Sequence, residues 1–234
     1  VSADAHRALF MKLSGSADGD LPRLMVHIGA LLALLISSAP ALARLARERK
    51  IAAAPKGRRK RQPDLRSLLD LRVLRTAGIF LVLCSAAYPF ANGFQNRLWI
   101  LAVLLTVNGI FLYVPPYMAG ANKDSRSLSS LDAALLGLGA GAGVLPGISR
   151  MGVLLSIPAL IVLMILDAVG ILGALGTVTF IGFLKSLLAG VMSFGGAYFG
   201  IFAMRFMAVR AGFGGFAYYN WGMALFSLIL YLMI

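Results

Sequence analysis

The feature that most constrains this chain is a succession of apolar runs, each close in length to a bilayer-spanning helix. They fall at 23–43, 76–94, 98–118, 131–147, 151–172, 177–204 and 216–234. A hydrocarbon core about 30 Å thick needs about 20 mostly apolar residues wound as a helix. No stretch shows a strand alternation that needs explaining. The expected fold is therefore all-α: one polytopic membrane domain over 1–234.

Composition supports that reading. The chain is 59% hydrophobic and only 13% charged, too little polar surface for a soluble domain of 234 residues. The first apolar run follows a polar segment, not a short basic one, so no signal peptide is visible. Cys84 is the single cysteine and is read as small apolar filler, because one thiol builds neither a disulfide framework nor a thiolate metal site. Two histidines and nine acids are too few for an obvious clustered metal centre.

The formal charge of +13 is concentrated in one place. The stretch 44–75 carries twelve arginines and lysines, among them Arg44, Arg47, Lys50, Arg61 and Arg72. Two functions compete for it. A cytoplasmic loop obeying the positive-inside rule, attracted to anionic lipid, is one. A nucleic-acid surface is the other. No aromatic residue interleaves the charges, so the lipid reading is preferred and no nucleic acid is expected. With that loop inside, 94–97 lies outside and Lys123 and Arg126 lie inside. Counting onward, however, puts Arg205 and Arg210 outside. Either the fourth run does not cross, or a crossing is missing after Gly152.

The fourth run, LLGLGAGAGVLPGISRMG, holds the chain's most unusual chemistry. Gly137, Gly139, Gly141 and Gly143 permit close packing or a break, and Pro146 removes a backbone donor. A broken or re-entrant helix is expected, which membranes tolerate only where protein or a watery cavity satisfies the backbone. A proline–glycine break followed by a helix start points free N–H groups at one spot, an anion nest. Arg150 adds a planar charged fork that matches phosphate oxygens. Ser149 adds a hydroxyl, and Gly147 and Gly152 flank the pair. On chemistry alone, Arg150 either binds an anion or snorkels to the interface. His6 read alone is a surface histidine, and His27 on its apolar helix is read as mainly structural. Lys185 either snorkels or faces the protein interior. Trp221, Tyr218 and Tyr219 sit at a span end, as aromatic belts do.

The stretch LDAALLGLGAGAGVLPGISRMG, 131–152, resembles the undecaprenyl-diphosphate phosphatase family of the bacitracin-resistance type, which carries PGxSRSG after a glycine-rich helix. TVNGIFLYV, MVHIGALLALL, FAYYNWGMALF and the opening VSADAHRALF resemble other parts of the same family in the same order. The resemblance implies a fold with re-entrant segments and inverted repeats. It implies a hydrolase of the bacterial plasma membrane with an outward-facing site. That hydrolase removes the terminal phosphate of undecaprenyl diphosphate and regenerates the monophosphate carrier for cell-wall synthesis. By position, His6 and Ser2 match the first motif, and Ser149 and Arg150 the second. Arg150 would then hold the diphosphate with Gly147 and Gly152 beside it. His6 would be a general acid or base, and Ser2 or Ser149 a nucleophile or positioning donor. A divalent cation, Mg or Ca, is the implied cofactor, with no ligands visible in this chain. The implied partners are a polyprenyl diphosphate and membrane lipids, with a homodimer as the assembly considered.

The chain departs from the family in several places. Ser2-Ala3-Asp4-Ala5-His6 replaces a serine-rich run, Met151 replaces a second serine and Ala140 a glutamine. Asp4 is a candidate polar or metal contact. An acidic pair upstream of the first motif and a helix after PGxSRSG are expected but not seen, and the sequence reads as starting inside a longer protein. The rival function, from a different class, is a polyprenyl-phosphate transporter or flippase that binds without hydrolysis. A degenerate, inactive paralogue is the third.

Overall fold

The computed structural model describes residues 9, 12–13, 19–55, 61–85, 97–114, 117, 127–142, 153–172, 179–210 and 214–233. Among them are seven helices and no strand: α1 Asp20–Ala53, α2 Leu65–Ser85, α3 Leu98–Tyr113, α4 Ser130–Gly141, α5 Val153–Leu172, α6 Phe180–Arg210 and α7 Gly214–Met233. Three are long and apolar enough to cross a membrane: Asp20–Ala53, Phe180–Phe206 and Gly214–Met233. Leu98–Tyr113, Ser130–Gly141 and Ile157–Leu172 are shorter apolar helices.

Helix boundaries differ from the apolar runs, and the reason is propensity. α1 has 34 residues. At 1.5 Å each it is about 51 Å long, well beyond the hydrocarbon core. Its last part, ALARLARERKIAA, is built from strong helix formers and continues the helix past the membrane run. The basic stretch 44–75 is therefore mostly the ends of two helices, not a loop. α2 starts at Leu65, eleven residues before the apolar run, and 86–94 of that run lies outside the described residues. Asp64 starts α2 as a cap. Its carboxylate accepts the Arg66 N–H at 3.1 Å and the Ser67 hydroxyl at 2.8 Å. These donors, Ser67 first, hold the Asp64 carboxyl below the ordinary aspartate range. Glu48 of α1 accepts the Asp64 N–H at 2.9 Å and pairs with Arg61, which ties the two helix ends together.

Packing then fixes direction. Along α1, Met25, Gly29 and Ser37 meet Gly190, Phe194 and Arg205 of α6, so α1 and α6 run parallel. Asp20, His27 and Leu34 meet Gly170, Asp167 and Leu160, so α5 runs antiparallel to α1. Arg44 faces Asp70, so α2 is also antiparallel to α1. Ala77 and Cys84 of α2 meet Gly137 and Gly141 of α4, which makes α4 parallel to α2. α4 and α5 therefore point the same way, away from the basic end. Both reach the same level of α2, where Leu81, Ala140 and Ala159 form one buried cluster.

This arrangement resolves the charge conflict. Because α6 runs parallel to α1, Arg205 lies toward the end where the basic residues of α1 and α2 are found. Its guanidinium donates to the Ser37 carbonyl at 2.9 Å. That carbonyl lies next to the Ile36 carbonyl, which loses its helical donor because Pro40 has no N–H. α4 and α5 run in the same direction and lie side by side at the level of Leu81.

α3 and α7 form an antiparallel pair. Asn108 donates to the Asn220 side chain at 2.9 Å, Ser227 donates to the Leu98 carbonyl at 2.9 Å, and the Trp221 indole N–H donates to the Thr106 carbonyl at 3.3 Å. Trp221 lies where a Cβ on Gly109 would sit and packs against Tyr113 and Tyr218. The aromatic group thus cements a helix pair.

Candidate functional site

The residues singled out by sequence, Ser2, His6, Gly147, Ser149, Arg150 and Gly152, all lie outside the described residues, as does Asp4. What the structure describes is the frame on either side of them. Leu9, three residues after His6, is buried against Leu98, Leu101, Leu105 and Ala224 of the α3–α7 pair. The segment with Ser149 and Arg150 falls between α4 and α5. α4 begins with a capping box. The Ser129 hydroxyl accepts the Asp132 N–H at 3.1 Å, and the Asp132 carboxylate accepts the Ser129 N–H at 2.9 Å. Its glycines then press on α2: a side chain at Gly137 would strike the Ala77 backbone, and one at Gly141 would strike Cys84.

One polar cluster stands out among the described residues. His27 of α1 and Asp167 of α5 are each 3% exposed, and the imidazole Nδ1 lies 2.6 Å from the Asp167 carboxylate. Arg23, one turn earlier on α1, lies 3.9 Å from the other Asp167 oxygen and 3.7 Å from Asp20. The Asp20 carboxylate rests where a side chain on Gly170 would be. Four ionisable side chains thus bridge α1 and α5, at the end of α1 opposite the basic residues. Ionisable groups at membrane depth are costly unless paired, and they concentrate where proteins do chemistry or transport.

Sequence reasoning took His27 as structural and passed over Asp167. A signal was available for the second: Asp167 is the only charged residue in VLLSIPALIVLMILDAVGIL. Nothing in the sequence paired it with a histidine 140 positions away. Lys185 is exposed on the surface of α6, in keeping with the snorkelling alternative. Cys84 is partly buried against Gly141, a packing position. Among the described residues no group of three or more His, Cys, Asp or Glu side chains could hold a metal ion.

Apolar helices, three of them long enough to cross a membrane, packed around a buried interhelical ion cluster, fit an all-helical membrane protein. Comparison with known proteins goes further. The chain belongs to the family described as Bacitracin resistance protein BacA, which matches residues 1–154 and so takes in both motifs. It is also similar to an undecaprenyl-diphosphatase of Nocardioides sp. (strain ATCC BAA-499 / JS614), at 27% identity over 167 residues, 69% of this chain. The chain spans 58% of that relative's length. No solved structure matches it.

Proposed function

We propose that the chain is a membrane phosphohydrolase that removes the terminal phosphate of a polyprenyl diphosphate, regenerating the monophosphate carrier used in cell-wall synthesis. The observation that carries this reading is the family match over residues 1–154, a range that contains Ser2, His6, Ser149 and Arg150, the residues the resemblance assigns to the two motifs. The name of the similar Nocardioides protein supports it. The packing of α4 and α5 supports it too, since both flanks of the Ser149–Arg150 segment are anchored on α2.

In this reading Arg150 grips the diphosphate and neutralises charge on the transferring phosphoryl group, the main demand of such reactions. An oxygen nucleophile forms the new bond to the terminal phosphorus. It is water, or the Ser2 or Ser149 hydroxyl followed by water. The bond from that phosphorus to the bridging oxygen breaks, the lipid monophosphate leaves, and inorganic phosphate is the second product. His6 takes the proton from the attacking oxygen or gives one to the leaving group. Gly147 and Gly152 let backbone approach the anion. A divalent cation, Mg or Ca, belongs to the proposal through family resemblance. The described residues present no ligand set for it, and no step is assigned to it. By family resemblance the site faces outward, in a bacterial plasma membrane.

Phosphate release from a polyprenyl diphosphate by the purified full-length protein tests the proposal. Arg150→Ala is expected to lower kcat by about 100-fold or more, the scale seen when one charge-stabilising donor is removed. His6→Ala is expected to lower it by about 100- to 10,000-fold. Undiminished release in both variants would remove these residues from the site. Lipid-phosphate movement across vesicles without phosphate release would replace the hydrolase with a transporter.

A further inference from the structure

We infer that the Arg23–His27–Asp167 cluster is a positioning device for the proposed phosphohydrolase: a polar latch that sets the register of α5, the helix that follows the Ser149–Arg150 segment in the chain. The inference rests on the function proposed above for Arg150. It adds residues that neither motif contains.

The argument begins with what apolar packing cannot do in a bilayer. Lipid tails are as apolar as leucine, so sliding one leucine-rich helix along another is opposed only weakly. α5 is such a helix: VLLSIPALIVLMILDAVGIL offers α1 mostly interchangeable aliphatic side chains, such as Leu160 against Leu34. A slide of one turn, about 5.4 Å, would find new apolar partners. It would also carry Asp167 away from His27 and Arg23 and leave a buried carboxylate unpaired, a costly state away from water. The 2.6 Å contact between His27 and Asp167 therefore discriminates between registers that aliphatic contacts leave nearly equal. Asp20, against Gly170 and 3.7 Å from Arg23, extends the same register mark by one more turn.

The consequence for the motif follows from chain connection. α5 begins at Val153, directly after Gly152 and three residues after Arg150. On the other flank, α4 is held by its capping box and by backbone contact at Gly137. The upstream flank is thus fixed by close packing and the downstream flank by the latch. A displacement of α5 by part of a turn would shift Val153, where the chain leaves that segment, relative to Gly141, where α4 ends. Arg150 needs placement to within a fraction of an ångström to meet a phosphoryl group.

The test uses the full-length protein with Cys84→Ser as background. Cysteines at positions 34 and 160, Leu34→Cys with Leu160→Cys, report the register by cross-linking. Three further changes are compared: Asp167→Leu, Asp167→Asn, and the double variant His27→Leu/Asp167→Leu. Asparagine keeps an acceptor for the imidazole N–H, so Asp167→Asn is expected to retain cross-linking and turnover. The double variant leaves no orphaned carboxylate and keeps Asp20 beside Arg23, so it is expected to fold with near-parental thermal stability. Its cross-linking is expected to slow, and its kcat/KM for phosphate release to fall roughly 10- to 100-fold, the scale of a misplaced catalytic group. Parental cross-linking and turnover in the double variant would overturn the latch. So would an Asp167→Asn protein as impaired as Asp167→Leu. If the parent protein releases no phosphate, the phosphohydrolase reading fails separately. Cross-linking then decides the latch alone: a yield that depends on residues 27 and 167 supports it, and a yield that ignores them rejects it.

Discussion

Polar side chains decide more in this protein than their number suggests, because each buried one has few substitutes for its partner. The amides of Asn108 and Asn220 are the clearest case: both are essentially inaccessible, and Asn108 donates to Asn220 while Asn220 donates to the Phe216 carbonyl at 2.6 Å. Removing one partner leaves a polar group stranded in an apolar interface, whereas removing both leaves none. Asn220→Leu is therefore expected to destabilise the protein by about 1–2 kcal/mol, the range for interhelical side-chain hydrogen bonds in model membrane peptides. The double variant Asn108→Leu/Asn220→Leu is expected to recover most of that loss. Thermal unfolding in detergent reads both, and equal midpoints for the single and double variants would show that the pair is not coupled. Arg150 differs in kind, because its proposed partner is a ligand and its effect is read in turnover.

Between elements, glycine sets the closest approaches. At Gly29 a Cβ would fall on the Gly190 carbonyl and the Phe194 amide, so α1 and α6 touch backbone to backbone there. This closeness suits a membrane, where association relies on van der Waals contact and not on exclusion of water. Gly29→Leu should force the two helices apart and cost about 1–3 kcal/mol, as overpacking of a tight interface does. Gly195→Leu on α6 meets open space and should leave stability unchanged. Comparing the two variants by detergent unfolding separates a packing effect at the α1–α6 contact from the general effect of replacing a helical glycine by leucine.

At the scale of the whole molecule, the helix directions set which surfaces share a side. Arg47 and Arg205 should share one side, because α1 and α6 run parallel, with Leu172 and Phe180 on the opposite side. Leu172 and Phe180 are 69% and 79% exposed, so probes can reach them. Single cysteines placed at these four positions in a Cys84→Ser background, labelled in intact cells with an impermeant maleimide, should divide into those two pairs. Labelling of Leu172→Cys and Phe180→Cys from outside, with Arg47→Cys and Arg205→Cys protected, would agree with the positive-inside rule. Labelling that split Arg47 from Arg205 would contradict the parallel packing of α1 and α6.

Much of this architecture was already present in the one-dimensional pattern. Apolar runs of bilayer length oblige helices, because lipid leaves the backbone no other partner. The motif residues Ser2, His6, Ser149 and Arg150 carry their chemistry in residue type and order, which is how the family becomes recognisable in sequence. Helix ends were less legible: the charged stretch 44–75 looked like a loop, yet alanine, leucine, arginine and glutamate carry α1 on to Ala53. Directions were legible from the basic stretches only as far as Gly152, and partners not at all. A run of leucines has no label for its neighbour, so the parallel pairing of α1 with α6 and the shared heading of α4 and α5 appear only in three dimensions. The union of His27 with Asp167 across 140 residues is likewise a tertiary fact. Each side chain alone looks like a lone polar residue in a greasy helix, and only folding shows that the two satisfy one another.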